Sequence, residues 1–101
     1  MQTYEHITKM ENILNTHTAQ LQPLNTLLDF VQQHRAEYNE LIEYYYSDQR
    51  NQDLQDDDNH LIPQDLARGV LSEDAIFDLM GDYRDTALRL LETATDILKN
   101  P

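Results

Sequence analysis

The sequence contains no cysteine and no tryptophan, only two glycines and three prolines, and only seven basic residues. Without cysteine, neither a disulfide framework nor thiol chemistry is available. With so few glycines and prolines, the chain lacks the turns that many strands require, so an all-β fold is not expected. The first residues lack the basic and apolar segments of a secretory signal, and no apolar run approaches the ~20 residues of a membrane span. We therefore expect a cytoplasmic protein that does not enter a membrane.

The charge of the chain is strongly one-sided. Acidic residues outnumber basic ones by 19 to 7, which gives a formal net charge of −12. Such a surface repels phosphate backbones and anionic lipids, so neither direct nucleic-acid binding nor membrane binding is expected. A charged partner would instead be a basic protein or a protein that itself binds nucleic acid. The simpler interpretation is that the charge only keeps a small protein soluble.

The N-terminal half of the chain predicts one long helix over residues 3–46, with Thr3 as a candidate N-cap. Apolar residues recur there at gaps of three and four, which places them on one stripe. This first stripe consists of Ile7, Met10, Leu14, Leu21, Leu24, Leu28, Val31, Tyr38, Ile42 and Tyr45. Pro23 leaves two alternatives. A kinked, continuous helix is favoured because the stripe keeps its phase, and a turn at Pro23 would instead give a three-helix bundle.

The remaining segments are shorter. Residues 47–62 are polar and acidic and predict a loop. A proline opens a predicted short helix over residues 63–68, which Gly69 would end in a left-handed conformation. Ser72 is a candidate N-cap for a C-terminal helix over residues 73–99. The stripe of that helix consists of Ile76, Met80, Tyr83, Ala87, Leu90, Ala94 and Ile97, widened by Leu79, Leu91 and Leu98.

Together these segments predict a single all-α domain over residues 1–101. In the expected fold, a helical hairpin resembling a coiled coil, the long kinked helix packs antiparallel on the C-terminal helix. The first stripe is about twice as long as the last one, so the C-terminal helix would leave part of it uncovered. Soluble monomers rarely expose an apolar patch of that size, and we therefore expect a homodimer.

The sequence offers no catalytic, cofactor or metal site. It contains neither a nucleophile motif nor a Gly-rich phosphate loop, and its four histidines form no metal-ligand motif. The aspartates at positions 53 and 56–58 lack the alternating spacing and central glycine of an EF-hand. A solvated acidic segment is the default interpretation there, and cation binding stays an open alternative. We expect a protein that is not an enzyme.

Two clusters are candidates for binding a partner protein. Three consecutive tyrosines end the predicted first helix and point in different directions, so at least one is expected to be exposed. A charged corner precedes the C-terminal helix, and there Arg68 could bond Asp65 or Asp74. The candidate residues are Tyr44, Tyr45, Tyr46, Asp65, Arg68, Gly69, Ser72, Glu73 and Asp74. The simpler alternative for the corner is a structural role in joining two helices.

Several of these residues also carry a family resemblance. Its most specific part is the run RGVLSED at residues 68–74. The other matching residues are Tyr44, Tyr45, Ser47, Asp53, Leu61 or Ile62, Pro63, Asp65, Leu66, Ile76, Asp78 and Leu79. In this region the chain resembles domain-of-unknown-function family 4298, a group of short bacterial proteins. Its members usually carry a tryptophan after the tyrosine pair, where this chain has Arg50. The resemblance implies a small helical protein and no known activity, cofactor or catalytic residue.

Three hypotheses for function follow. The first is a non-enzymatic, self-associating acidic module for protein–protein interaction, whose partner docks on the acidic faces or on the corner. The alternative is an acidic mimic of nucleic acid that inhibits a basic or nucleic-acid-binding protein, because carboxylates along a helix imitate a row of phosphates. The third is a small metal-dependent enzyme, which heat on calorimetric titration with divalent cations would support.

Overall fold

The computed structural model describes residues 3–101, and within that range it contains only helices and their connections. The helices are α1 (Glu5–Gln33), α2 (Arg35–Tyr45), α3 (Asp48–Asp58), a 3₁₀ helix (Gly69–Leu71) and α4 (Ala75–Lys99). The all-α prediction is therefore confirmed for the described residues. Every helix among them is too short or too polar to span a bilayer. Contacts divide the chain into two units, Met1–Asn39 and Glu40–Pro101. The single domain and the antiparallel hairpin stay predictions.

The first helix continues through Pro23, which lies inside α1. Continuity was the favoured alternative at this proline, and it is confirmed. The helix begins at Glu5, and Tyr4 occupies the cap position without a side-chain cap bond, so Thr3 is not the N-cap. Since α1 is not divided at Pro23, the part of the first stripe from Ile7 to Val31 lies on one helix of 29 residues.

The predicted single helix over residues 3–46 is interrupted at His34 rather than at the proline. The backbone of His34 leaves helical values there, with φ −107° and ψ 18°. Its Nδ1 lies 2.8 Å from Oε2 of Glu37, and its ring stacks on Phe30 at 4.4 Å between centroids. These contacts tie the side chain of His34 both to the end of α1 and to the start of α2. The prediction of a single helix was therefore wrong, because the segment forms two helices separated at His34.

The predicted acidic loop over residues 47–62 is wrong, because most of it forms α3. Ser47 has an extended backbone and caps this helix, with its Oγ accepting the N–H of Arg50 at 3.1 Å. A serine in this position satisfies one of the N–H groups that a helix start leaves unpaired. Composition indicated a loop, and the cap together with the local side-chain pairing decided for a helix.

Side-chain pairs one turn apart stabilise α3. Gln49 donates from Nε2 to Asp53, and Gln52 donates in the same way to Asp56, both at 2.9 Å. Pairs of this kind at i and i+4 favour helix formation. The helix ends at Asp58, and His60, two residues later, is a non-glycine residue with φ 57°. The N–H groups of His60 and Leu61 donate to the carbonyls of residues 57 and 56, as in a Schellman motif.

The predicted short helix over residues 63–68 is also wrong. This segment contains a turn in which the N–H of Leu66 donates to the carbonyl of Pro63 at 3.1 Å. The helical turn comes later, as the 3₁₀ helix Gly69–Leu71. Gly69 starts that turn without a positive φ, so the left-handed conformation predicted for it is not observed. The left-handed residue is His60, because the helix that needs a stop is α3.

Ser72 was predicted as the N-cap of the last helix, but Asp74 occupies that position, and Ser72 instead lies at the end of the 3₁₀ helix. Ser72 Oγ accepts the N–H of Ala75 at 3.3 Å and donates to the carbonyl of Gly69 at 2.8 Å. The helix begins at Ala75, two residues later than predicted, and ends at Lys99 as predicted. Ser72 thus joins the 3₁₀ helix to α4 through bonds in both directions.

Burial is sparse among the described residues. Only Ile76, at the start of α4, is buried, with 3% of its surface exposed. The exposed large apolar side chains include Ile7, Met10, Ile13, Leu14, Leu21, Leu24, Leu27 and Phe30 on α1. On α4 they are Phe77, Leu79, Leu88, Leu90, Leu91, Ile97 and Leu98. Both long helices therefore present apolar side chains to solvent.

Candidate functional site

The densest group of side-chain interactions lies within the second unit, where α3 packs against the 3₁₀ helix and the 3₁₀ helix against α4. Its side chains come from the end of α2, from α3 and from the segment before α4. We call them the corner cluster, which consists of Tyr44, Tyr45, Arg50, Asp53, Asp57 and Arg68. Five of the six are titratable groups that hydrogen bond to one another or to backbone carbonyls.

Tyr44 and Asp53 form the first contact of the corner cluster. The phenol of Tyr44 donates to Oδ2 of Asp53 at 2.6 Å, and Gln49 donates to the other carboxylate oxygen at 2.9 Å. The hydrogen bonds from Tyr44 and then Gln49 hold the pKa of Asp53 below its usual value. Burial raises the pKa of Tyr44, and Asp53 raises it further by its hydrogen bond and its negative charge, whereas Arg50 lowers it.

The two shifts define the pH range in which this contact stabilises the fold. Because the pKa of Asp53 is lowered on folding, its contribution is present above the unfolded value of about 4 and is lost as pH falls through the folded value. Because the pKa of Tyr44 is raised, its contribution is present below the unfolded value of about 10 and is lost as pH rises through the folded value. The contact is therefore intact at neutral pH.

Arg50 connects α3 to the segment that leads into α4. Its guanidinium lies 4.8 Å from the centre of the Tyr45 ring, a cation–π distance. Its Nε donates to the carbonyl of Val70 at 3.4 Å and its Nη2 to the carbonyl of Ser72 at 3.2 Å. The Arg50 side chain thus contacts α2 and also donates hydrogen bonds to two backbone carbonyls in and next to the 3₁₀ helix. Arg50 was noted in the sequence only for occupying the place of a tryptophan.

Arg68 forms an ion pair with a residue that the sequence did not suggest. Its Nη1 lies 2.7 Å from Oδ1 of Asp57, and the two side chains are 34% and 33% exposed. The expected partners, Asp65 and Asp74, are therefore wrong. The prediction failed because it treated residues 47–62 as a loop. Once α3 is a helix, its last turn presents Asp57 to the segment that carries Arg68.

The other predicted partner-binding residues fall into two groups, those exposed on the surface and those in or next to the 3₁₀ helix. Tyr46 is 70% exposed, as expected for one of the three tyrosines, and its ring meets that of Tyr45 edge-on at 4.9 Å. Asp65, Glu73 and Asp74 are exposed. Gly69 and Ser72 belong to the 3₁₀ helix and its cap. The structure thus brings Tyr44, Tyr45, Arg68, Gly69 and Ser72 together with α3 and leaves the remaining four on the surface.

A cavity of about 320 Å³ opens beside the corner cluster. Its apolar lining comes mainly from the segment between α3 and α4, and its polar lining from Tyr44, Asp53, Asp56 and Arg68. No group of three His, Asp or Glu side chains within residues 3–101 is arranged to hold a metal ion. The residues that line the cavity offer apolar contact, hydrogen bonding and negative charge.

Sequence reasoning missed Arg50 and Asp57 as members of the site. The local signals that place them were present: the cap at Ser47 and glutamines four residues before aspartates. Reading those signals as α3 would have put Arg50, Asp53 and Asp57 on one helix. Which distant partner each side chain reaches, such as the carbonyls of Val70 and Ser72, has no local signal.

One known protein family matches most of the chain. The family described as domain of unknown function DUF4298 matches residues 7–93, from the first turn of α1 to most of α4. The chain belongs to this family. The match to DUF4298 extends well beyond residues 44–79, which carried the resemblance in the sequence. Among curated proteins and solved structures, no match was found for this DUF4298 chain.

The Tyr44–Asp53 contact is tested by Tyr44→Phe, which removes the phenol hydroxyl and keeps the ring. We expect the pKa of Asp53 to rise, though not fully to its ordinary value, because Gln49 still donates to it. The shift is measured by following the Asp53 carboxyl carbon by NMR as pH is lowered. Tyr46→Phe is the matched control, since its ring is exposed, and it should leave the Asp53 pKa unchanged. An unchanged Asp53 pKa in Tyr44→Phe would show that the hydrogen bond does not form in solution.

The role of Arg50 as a connector is tested by Arg50→Ala. The variant loses two hydrogen bonds to backbone carbonyls and a cation–π contact, each worth about 1 kcal/mol or less at such half-exposed positions. We expect faster amide hydrogen exchange at residues 70–75 and destabilisation of about 1–2 kcal/mol in urea unfolding. Arg84→Ala, at an exposed arginine of α4, serves as the control. Equal exchange rates in the two variants would contradict the connecting role.

Proposed function

We propose that this DUF4298 chain is a non-enzymatic, self-associating helical module for protein–protein interaction that works in the cytoplasm. The observation that carries the proposal is the exposure of large apolar side chains along both long helices, with Ile76 alone buried among residues 3–101. Apolar surface of this extent is stabilised only when another surface removes it from water. Within residues 3–101, no third helix of comparable length could supply that surface.

The width of the apolar faces supports a bundle rather than a simple pair of helices. On α1, Ile13 and Leu27 stand beside the first stripe and are 44% and 64% exposed. On α4, Phe77, Leu91 and Leu98 stand beside its stripe in the same way. Apolar residues at two heptad positions suit a two-helix seam, whereas three positions suit the core of a bundle. Both long helices are of the wider kind.

The helix lengths also fit this assembly. At ~1.5 Å per residue, α1 with 29 residues is about 43 Å long and α4 with 25 residues is about 37 Å long. Because α1 ends before His34, α1 and α4 are similar in length, and most of the length mismatch that first suggested a dimer is gone. The width of the apolar faces supports the dimer instead. We propose that α1 and α4 pair as an antiparallel hairpin and that a second copy completes a four-helix bundle.

Self-association is tested by light scattering on the full chain. At micromolar concentrations we expect twice the monomer mass of 11.9 kDa. Leu21→Glu places a charge on the α1 stripe and should weaken the dimer by about a hundredfold or more, because each copy loses ~1.5–3 kcal/mol of burial. Leu88→Glu is the matched control, since Leu88 is comparably exposed but lies outside the α4 stripe. A wild-type monomer, or equal loss in both variants, would contradict the proposal.

A second candidate function is supported by α3. This helix carries five aspartates and one arginine in 11 residues, so its carboxylates are held on a helix instead of in a loop. A rod of this kind suits an acidic mimic that occupies the nucleic-acid site of a basic protein. The mimic would compete with duplex DNA for a DNA-binding protein, and its complex would weaken about as steeply with salt as the DNA complex does. A complex that is insensitive to salt would favour the interaction module and exclude the mimic.

A further inference from the structure

The cavity beside the corner cluster has an apolar wall that nothing in the described chain covers. Leu61, Leu66 and Val70 line it and are 69%, 57% and 42% exposed, and Ile62 beside them is half-buried. A volume of about 320 Å³ is enough for one or two large side chains. The open wall suits side chains that project from a larger partner, because an isolated small molecule would keep much of its surface in water.

The charged lining of the cavity is mainly acidic. Asp53 and Asp56 line it one turn apart on α3, and the charge of Arg68, which also lines it, is compensated by Asp57. Asp53 accepts hydrogen bonds on both carboxylate oxygens, from Tyr44 and Gln49. Asp56 accepts only on Oδ1, from Gln52, and its second oxygen has no hydrogen-bond partner among residues 3–101. A half-buried carboxylate with an open oxygen, beside an apolar wall, is complementary to a cation attached to an apolar group.

Contacts within the protein hold the residues around the cavity in place without a ligand. The ion pair between Arg68 and Asp57 fixes the segment that carries the apolar wall to α3. Arg50 fixes the far end of that segment through the carbonyls of Val70 and Ser72. A preformed site loses less conformational entropy on binding, so its apolar and ionic contacts contribute more fully to affinity.

From these observations we propose that the cavity between α3 and residues 61–71 binds a segment of a partner protein that presents a large apolar side chain next to a lysine or arginine. The apolar side chain packs on Leu61, Leu66 and Val70, and the cation meets Asp56 on α3. None of these residues belongs to the apolar stripes of α1 and α4. The site is therefore independent of the proposed self-association.

The proposal is tested on the full ¹⁵N-labelled chain by NMR titration with three short synthetic peptides. The first carries leucines and arginines in alternation, the second replaces its leucines by serine, and the third replaces its arginines by glutamate. We expect the first peptide to shift amide signals of residues 53–71, and the other two to leave those signals unchanged. Binding through charge alone would instead make the first two peptides equivalent, which would overturn the proposal.

Two variants locate the binding site, each with a matched control. Leu66→Ser should weaken binding of the first peptide about tenfold, because an exposed leucine gains part of its burial there. Asp56→Asn should weaken it up to about fivefold, as a partly exposed ion pair allows. Leu88→Ser and Asp82→Asn change an exposed leucine and an exposed aspartate of α4 and should leave the affinity unchanged. Equal losses in variants and controls would contradict the proposal.

Self-association is followed in the same samples by light scattering, so the two proposals fail separately. A Leu66→Ser chain that keeps its mass but loses the peptide supports a partner site. A Leu66→Ser chain that loses mass without any peptide present would show that a second copy fills the cavity, which overturns the proposal. A monomeric wild-type chain that still binds the first peptide would remove the proposed dimer and leave this site intact.

Discussion

Apolar side chains on a helix stabilise a fold only when another surface takes them out of water, and this chain has almost no such surface among its described residues. Ile76 is the single buried residue of residues 3–101. A single buried isoleucine contributes little against the conformational entropy that folding costs. Whatever covers the two long helices therefore also completes the fold.

In the second unit, polar side chains rather than a buried apolar core connect the helical elements. Tyr44, Arg50 and Arg68 reach across from one element to another and end on Asp53, on backbone carbonyls and on Asp57. Such bonds are directional, so they define the position of the short segment before α4 more than they stabilise it. Half-exposed polar contacts are individually modest, and Leu61, Leu66 and Val70 of this segment remain exposed beside the cavity.

The sequence predicted what local periodicity and capping determine. The helical stripes of α1 and α4 and continuity through Pro23 were readable from spacing and residue type. α3 was missed because its composition is that of a loop, although Ser47 and the glutamine–aspartate spacing favoured a helix. The partner of Arg68 was then predicted wrongly, because an acidic residue nearby in sequence was expected instead of Asp57 on α3. Tertiary choices such as the carbonyls that Arg50 selects depend on how elements meet, which no local pattern contains.

The charge of the chain sets a condition on both functional proposals. Two copies with a formal charge of −12 each repel one another, so the apolar faces must outweigh that repulsion for self-association to occur. Dissolved salt screens the repulsion and favours the assembly of copies, while it weakens any complex in which aspartates replace phosphates. The same ions therefore act on the two candidate functions in opposite directions. Binding in the cavity, which uses both an apolar wall and Asp56, should depend on salt less steeply than the mimic's complex, because screening weakens only its ionic contact.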